Sequence, residues 1–333
     1  MENDKNRARG KMKKILLTDS YKERALGILK GVIPDGYELM TLPKASQDDL
    51  LEVVDRADYL LVSGRLKVDS DILDRASNLK MIQRTGVGLD NMDIEEFKKR
   101  NIPLYVNKGV NSDSVAEHTL MLMLSCMRNL LINNNNIKNG IWIKQEQGLQ
   151  THELKGKTVG VVGFGTIGRK VAQLLSVFGV NIIYYDSYFK EDIVINGNKV
   201  IYKELNKLMQ EADIITLHCP LNEDTRELIC SDTLKQMKRG VIIINTARGK
   251  LINIEDLKAA LIEGTVAAAG LDVFSNEPPA STENFNEFPN VIVTPHIAGV
   301  TFEAFSTMME KAIRNIVLFD QGKLEEIEEN RIV

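Results

Sequence analysis

No stretch of this chain is apolar for the roughly 18–20 residues that a membrane-spanning helix needs, so no such helix is expected in it. Cysteine is scarce. Cys126, Cys219 and Cys230 are too few and too scattered for a disulfide framework or a zinc site, and a reducing, cytoplasmic setting with no bound metal is the simplest reading. An excess of one charge is lacking too. The 42 Lys and Arg against 46 Asp and Glu leave a formal charge of -4, and neither half is strongly basic, which argues against nucleic acid as the main partner. The basic, polar start from Met1 to Lys14 has no signal-peptide core behind it and reads as a frayed lead-in.

What is present is alternation. The chain's 333 residues exceed what one hydrophobic core usually fills, so two domains are expected. From Lys14 onward, short β-rich apolar runs (Ile15 to Leu17, Tyr37 to Leu42, Tyr59 to Val62, Leu79 to Ile82, Ile102 to Val106) trade places with amphipathic stretches of helical period. A long helix should follow, capped by Ser112 or Ser114 with Glu117 at capping-box spacing, and end in the polar run Asn133 to Asn136. A second alternating series starts at Lys155, with strands at Thr158 to Val162, Asn181 to Tyr185, Ile214 to Leu217, Val241 to Asn245, Ala267 to Val273 and Val291 to Thr294. A closing helix spans Phe302 to Gly322. The fold class expected is α/β, with two doubly wound parallel-sheet domains.

Gly163-Phe164-Gly165-Thr166-Ile167-Gly168 leaves a strand and enters a helix, the context that turns a common glycine pattern into a dinucleotide fingerprint. Gly163 should make the tight turn and Gly165 allow close backbone approach to a pyrophosphate. Gly168 should let helix and strand pack, with the helix N-terminus facing phosphate. Asp186 lies 18 residues beyond Gly168, where a carboxylate can hold ribose hydroxyls and repel a 2′-phosphate. Ser187-Tyr188 provides no arginine in its stead, so NAD is expected over NADP.

With four histidines in the chain, the search for a proton donor is short. Ligands sit at strand C-termini in open α/β sheets, which favours His218 and His296 over His118 and His152. Arg248, in Asn245-Thr246-Ala247-Arg248-Gly249, also ends a strand and can fork onto a carboxylate. Asp272 and Glu277 follow another strand, the latter held by Pro278-Pro279. Singly, each has a bland reading as a surface ion pair, a solvated loop acid or a satisfied strand-end histidine. On successive strand ends beside a dinucleotide fold, those readings lose ground.

These motifs together resemble the D-isomer-specific 2-hydroxyacid dehydrogenases over roughly residues 14 to 333. The matching segments are Arg84-Thr85-Gly86-Val87-Gly88-Leu89-Asp90-Asn91, Ser114-Val115-Ala116-Glu117-His118, the glycine loop, His218-Cys219-Pro220-Leu221, Thr246-Ala247-Arg248-Gly249, Asp272-Val273-Phe274 with Glu277-Pro278, and Pro295-His296. The resemblance implies NAD as cofactor and hydride exchange between nicotinamide and C2 of a small D-2-hydroxy or 2-keto acid. Arg248, Glu277 and His296 would form a catalytic trio, His296 as acid/base paired with Glu277, and Arg248 and His296 would both meet the substrate. It places Thr166 and Ile167 at the pyrophosphate and Asp186 at the ribose. Cys219, Pro220 and Thr225 fall near adenosine, Thr246 and Asp272 near the nicotinamide, and Ala247 is a further cofactor contact. Backbone groups of Val87 and Gly88 would meet the substrate carboxylate. It also implies a Rossmann NAD-binding domain (108–304), a discontinuous flavodoxin-like substrate domain (1–107 and 305–333), and a homodimer joined through the NAD-binding domain.

Two departures limit the resemblance. Relatives acting on 3-phosphoglycerate tend to carry Arg-Ser-x-Thr where this chain has Ser63-Gly64-Arg65-Leu66, so the phosphate-contacting arginine is either missing or displaced by two residues, to Arg65 as the candidate substrate contact. Many relatives have Asn-x-Pro-Gly where Val106-Asn107-Lys108-Gly109 stands here. The chain stops soon after Asn330, so no appended regulatory domain is expected. Formate dehydrogenases, with Gln in place of Glu277, are disfavoured, while phosphite dehydrogenases keep the trio. A short-form phosphoglycerate dehydrogenase and a hydroxypyruvate or glyoxylate reductase are the specific alternatives. A corepressor-like NAD sensor is the rival from another class.

Overall fold

The computed structural model describes residues 12–64, 66–90, 92–280 and 283–333. It separates into two compact units, one of the described residues up to Val110 together with Phe302–Val333, the other Asn111–Thr301. Among the described residues no helix is long and apolar enough to cross a membrane.

The first unit runs β1 (Lys13–Leu17), α1 (Glu23–Gly31), β2 (Tyr37–Thr41), α2 (Gln47–Val53), β3 (Tyr59–Val62), α3 (Ser70–Arg75), β4 (Met81–Arg84), α4 (Ile94–Lys99) and β5 (Leu104–Tyr105), then takes in the last long helix of the chain. Its five strands are parallel in the order β2-β1-β3-β4-β5, the flavodoxin-like arrangement. The period of two assigns each residue a face. Leu16, Leu60, Val62 and Ile82 pack with Leu50, Val54, Ile72 and Phe97, while Ile15, Leu17, Leu61 and Met81 pack with Leu29 of α1 and with Met309, Ile313 and Ile316 of that last helix. The helices start where polar caps permit: Ser46 Oγ, Asp69 and Asp93 each accept from the amide three residues on.

The second unit opens with α5 (Ser112–Met127), α6 (Leu130–Lys138) and α7 (Gln145–Gly148). There follow β6 (Thr158–Val162), α8 (Thr166–Leu175), β7 (Asn181–Tyr185), β8 (Ile193–Ile195), β9 (Asn198–Tyr202), α9 (Leu205–Glu211), β10 (Ile214–Leu217), α10 (Ser231–Leu234), β11 (Val241–Asn245), α11 (Ile254–Glu263), β12 (Val266–Leu271) and β13 (Val291–Val293). The last long helix, α12 (Phe302–Asp320), belongs to the first unit. The second sheet has the order β13-β12-β11-β10-β6-β7-β9-β8, parallel except for the antiparallel β8–β9 pair. Strand order reverses between β6 and β10, the topological switch point where ligands of such sheets bind. Every residue of β11 is buried, because helices cover both faces of the sheet.

Three details differ from the sequence reading. Helix α5 begins at Ser112 with Asn111 as a cap that makes no side-chain bond, and the Ser114 hydroxyl donates to the Ala298 carbonyl, so the expected capping box does not form. Residues 133–136 lie inside α6 and do not end the long helix. The break comes earlier, at Asn129, whose φ of 48° is left-handed, and Asn133 donates back to the Arg128 carbonyl. The β8–β9 hairpin and α9 were not anticipated. The hairpin turns at Asn196-Gly197, both at positive φ, a dipeptide that favours tight hairpin turns.

Candidate active site

The glycine loop is shaped by contacts that only glycine permits. Gly163 has φ 90°, and a Cβ there would lie 2.5 Å from the Cys219 nitrogen, across the switch point at the end of β10. A Cβ on Gly168 would lie 2.1 Å from the Gly163 carbonyl oxygen, so helix α8 starts directly against the turn. Gly165 is different. A Cβ there would meet no protein atom within 4 Å, leaving open the space that a dinucleotide pyrophosphate needs above the amides of Thr166 and Ile167. The loop therefore fits the cofactor.

Asp186 ends β7 beside this loop. Its carboxylate accepts from the amides of Phe164 (2.7 Å), Tyr188 (2.9 Å) and Phe189 (3.1 Å). Burial pushes its pKa up, but the three amides and the nearby charge of Arg169 bring it below the usual carboxylate value. A carboxylate has roughly four lone-pair sites, so about one remains for a ligand hydroxyl. Beyond β10, Thr225 Oγ1 donates to the Pro220 carbonyl at 2.7 Å and closes the exposed loop that starts at Cys219. Burial pushes the Cys219 thiol up to about 11, far from a reactive thiolate.

The strand-end histidines part company. His218 has Nε2 2.9 Å from Thr216 Oγ1, while Nδ1 is buried without a hydrogen-bond partner among the described residues. Burial drops its pKa to about 3, so the ring is neutral at pH 7 and is no proton donor there. His296 is 47% exposed and donates from Nδ1 to Glu277 Oε2 at 2.6 Å. Glu277 also accepts from the Phe274 amide at 3.2 Å. Burial raises this carboxyl, but the His296 hydrogen bond and charge, the Phe274 amide and the Arg248 charge outweigh it and hold Glu277 below its ordinary value. Arg248 is thus close enough to Glu277 for its charge to be felt.

Backbone packing brings these groups together. The Asn245 side chain donates to the Arg248 carbonyl and accepts from the Ala247 amide, which shapes the turn after β11, and Arg248 Nη1 donates to the Ala247 carbonyl. A Cβ on Gly249 would fall 1.9 Å from the Phe274 carbonyl carbon, so only glycine lets this turn press on the segment leading to Glu277. His296 sits at φ 53°, a left-handed conformation costly for a residue with a side chain. Asp272 holds it there. Fully buried, its carboxylate accepts from Thr294 Oγ1 and from the amides of Ile297 (2.9 Å) and Ala298 (2.8 Å), and its carbonyl accepts from the His296 amide.

Sequence reasoning missed the part α5 plays here. Ser114 bonds the Ala298 carbonyl, His118 Nε2 lies 3.0 Å from Thr294 Oγ1, and Thr119 Oγ1 lies 2.9 Å from Thr246 Oγ1. The i, i+4, i+5 spacing of Ser114, His118 and Thr119 was the available signal: three polar residues on the buried side of an apolar helix. Val87 is exposed and the Gly88 carbonyl accepts from Arg84 Nε, both in the first unit. Arg65, expected to touch substrate, lies outside the described residues.

The family model for the NAD-binding domain of D-isomer-specific 2-hydroxyacid dehydrogenases matches residues 120–298. A hydroxypyruvate reductase of Thermotoga maritima is 40% identical over 80% of this chain and 85% of its own. A D-3-phosphoglycerate dehydrogenase of Methanocaldococcus jannaschii is 38% identical over 95% of this chain, which spans 59% of that longer protein. The crystal structure of the Aquifex aeolicus D-lactate dehydrogenase, a complex with NAD and lactic acid, superposes with a TM-score of 0.85 at 26% identity, covering 96% of this chain and 99% of that one. Two parallel-sheet units, a glycine loop that admits a pyrophosphate, and these likenesses agree: the chain belongs to the D-isomer-specific 2-hydroxyacid dehydrogenases, NAD-dependent oxidoreductases acting on the CH–OH group of their donors.

Proposed function

We propose that this chain interconverts a small, unphosphorylated D-2-hydroxy acid and its 2-keto acid, with His296 as acid and base, Glu277 as its partner, and Arg248 on the substrate carboxylate and carbonyl oxygen. The observation that carries this reading is the 2.6 Å contact between His296 Nδ1 and Glu277 Oε2, which leaves Nε2 as the ring atom for a substrate oxygen. A carboxylate at Nδ1 fixes the tautomer and stabilises the imidazolium. In the reducing direction Nε2 gives its proton to the oxygen on C2, and in the oxidising direction it takes that proton back. Arg248 steadies the negative charge that develops on this oxygen and forks onto the acid group.

Bound NAD(H) supplies or accepts the hydride at C2. Gly163, Gly165, Thr166, Ile167 and Gly168 would hold its pyrophosphate, Asp186 a ribose hydroxyl, and Cys219, Pro220 and Thr225 the adenosine end. Thr246 and Ala247 would face the nicotinamide end. Asp272 is better suited to bracing the His296 loop than to touching ligand, since it is fully buried, unlike Asp186, and its oxygens accept three hydrogen bonds from the loop. In the first unit, the backbone of Val87 and Gly88 would take the substrate carboxylate. That unit is read as the substrate domain and the second as the cofactor domain.

The absence of Arg-Ser-x-Thr at residues 63–66 favours an unphosphorylated acid. Exposed Leu130, Leu131, Ile137, Ile141, Trp142 and Leu149 form an apolar segment that supports a homodimer through the second unit, checked by sedimentation. The three cysteines are free, which favours a cytoplasmic setting. The deciding experiment is NADH oxidation with glyoxylate, hydroxypyruvate, pyruvate and 3-phosphohydroxypyruvate. Turnover is expected with at least one unphosphorylated acid. Preference for the phosphorylated one would favour a short-form phosphoglycerate dehydrogenase, and no turnover with any, despite NADH binding, would favour a sensor.

A further inference from the structure

The cradle around Asp186 gathers three amide donors, and a guanidinium rests on the residues that supply two of them. Its carboxylate is held by three amides from two segments, Phe164 in the glycine loop and Tyr188 and Phe189 after β7. Phe164 and Phe189 also hold a cation. The guanidinium carbon of Arg169, one residue past Gly168, lies 4.8 Å from the Phe164 ring centre and 4.3 Å from that of Phe189. Phe164 is buried and stacks on Tyr184 at 3.9 Å, so the aromatic seat is rigid. Among the described residues no ion pair joins Arg169 to Asp186. The guanidinium therefore keeps donors available on the rings of the same two residues whose amides hold the carboxylate, and cation–π attraction holds it in place.

Amides that converge on one point form an anion site whatever anion fills it. Here the chain fills it with its own carboxylate, and the acid that repels a 2′-phosphate also occupies the donors that would bind one. We propose that Arg169 is a latent counter-ion for the 2′-phosphate of NADP, so that Asp186 alone enforces the preference for NAD and its removal uncovers a ready site of three amides and a guanidinium. The arginine comes from the helix after the glycine loop, a place that inspecting only the two residues after Asp186 does not reach. The inference rests on the glycine loop and Asp186 being the adenosine end of the cofactor site.

The test is calorimetric binding of adenosine 2′,5′-bisphosphate and of 5′-AMP to the full chain, read as the ratio of the two affinities. Asp186→Ser should raise the ratio for the bisphosphate about tenfold or more, the scale of one charge-assisted contact. Asp186→Asn, which keeps the side-chain volume, should move it in the same direction by less and guards against misfolding of the serine variant. Adding Arg169→Met to Asp186→Ser should return most of the gain. An equal gain with and without Arg169→Met would overturn the proposal, since the amides alone would then hold the phosphate. So would an unchanged ratio in both Asp186 variants while 5′-AMP still binds. If the unaltered chain bound neither 5′-AMP nor NAD, the reading of the dinucleotide site would fall, and the proposal with it.

Discussion

At the end of β7, the carboxylate of Asp186 is grasped by three backbone amides. At the ends of β12 and β13, the carboxylate of Glu277 shares a hydrogen bond with the exposed imidazole of His296. The glycine-loop region is built from backbone: its glycines are dictated by contacts at 2.1 and 2.5 Å, and its histidine, His218, is neutral. The strand-end region is built from side chains that stay reachable by solvent, on a backbone braced by buried Asp272. Binding a large, invariant cofactor favours fixed amides that need no rearrangement, whereas moving a proton needs a group that can change its charge. The same sheet carries both kinds of group because all these loops leave the carboxyl ends of its parallel strands.

Substitutions can break or sharpen this contrast. The largest effect is expected in the side-chain region. His296→Gln should lower kcat by about 10²–10⁴-fold while leaving thermal stability near that of the parent, and near-normal steady-state turnover would remove His296 as the acid. Next comes the brace. Asp272→Asn deprives buried donors of their charged acceptor, and urea unfolding should reveal a loss of about 2–4 kcal/mol. An unchanged midpoint would mean that the His296 loop stands without it.

In the backbone region two neighbouring glycines should behave oppositely. Gly168→Ala forces a methyl onto the Gly163 carbonyl and should cost about 1–3 kcal/mol in denaturant unfolding. Gly165→Ala meets no protein atom, so stability should shift by less than ~0.5 kcal/mol while NAD binding weakens. Equal stability for the two variants would contradict the division of roles.

A further effect concerns acid sensitivity. His218 has a folded pKa of about 3 against an ordinary 6.5, so between these values the unfolded chain binds a proton that the folded one refuses. Stability should therefore fall as pH drops below 6.5, with His218 accounting for about 2 kcal/mol by pH 5. His218→Gln should flatten that slope, and an unaltered slope would show that the ring is not held neutral. Glu277 works in a lower window. Its depressed pKa stabilises the fold above the ordinary carboxylate value, and that contribution is lost as pH falls through its folded value.

Much of this was legible in one dimension. Strand, glycine turn and helix follow each other within residues 158–175, and the local order of apolar residues was enough to place them. Arg248, Glu277 and His296 could be named because each follows the carboxyl end of a parallel strand, β11, β12 and β13 in turn. What stayed hidden depends on distant segments meeting. His218 and His296 look alike as strand-end histidines, yet burial neutralises one and a carboxylate 19 residues away partners the other. Asp272 and Glu277 look alike as loop acids, yet the amides of a left-handed turn consume the first.

By itself, the sequence determined the alternating α/β architecture and the dinucleotide loop, because hydrophobic period and glycine spacing act over a few residues, and it nominated Arg248, Glu277 and His296 as candidates for the chemistry. Only the tertiary structure decided that burial keeps His218 neutral, that α5 braces the loop bearing His296 across 184 residues of chain, and that Arg169 rests on the rings of Phe164 and Phe189, the two residues whose amides hold Asp186. Those outcomes turn on burial and charge, which exist only once the strands have taken their places in the sheet.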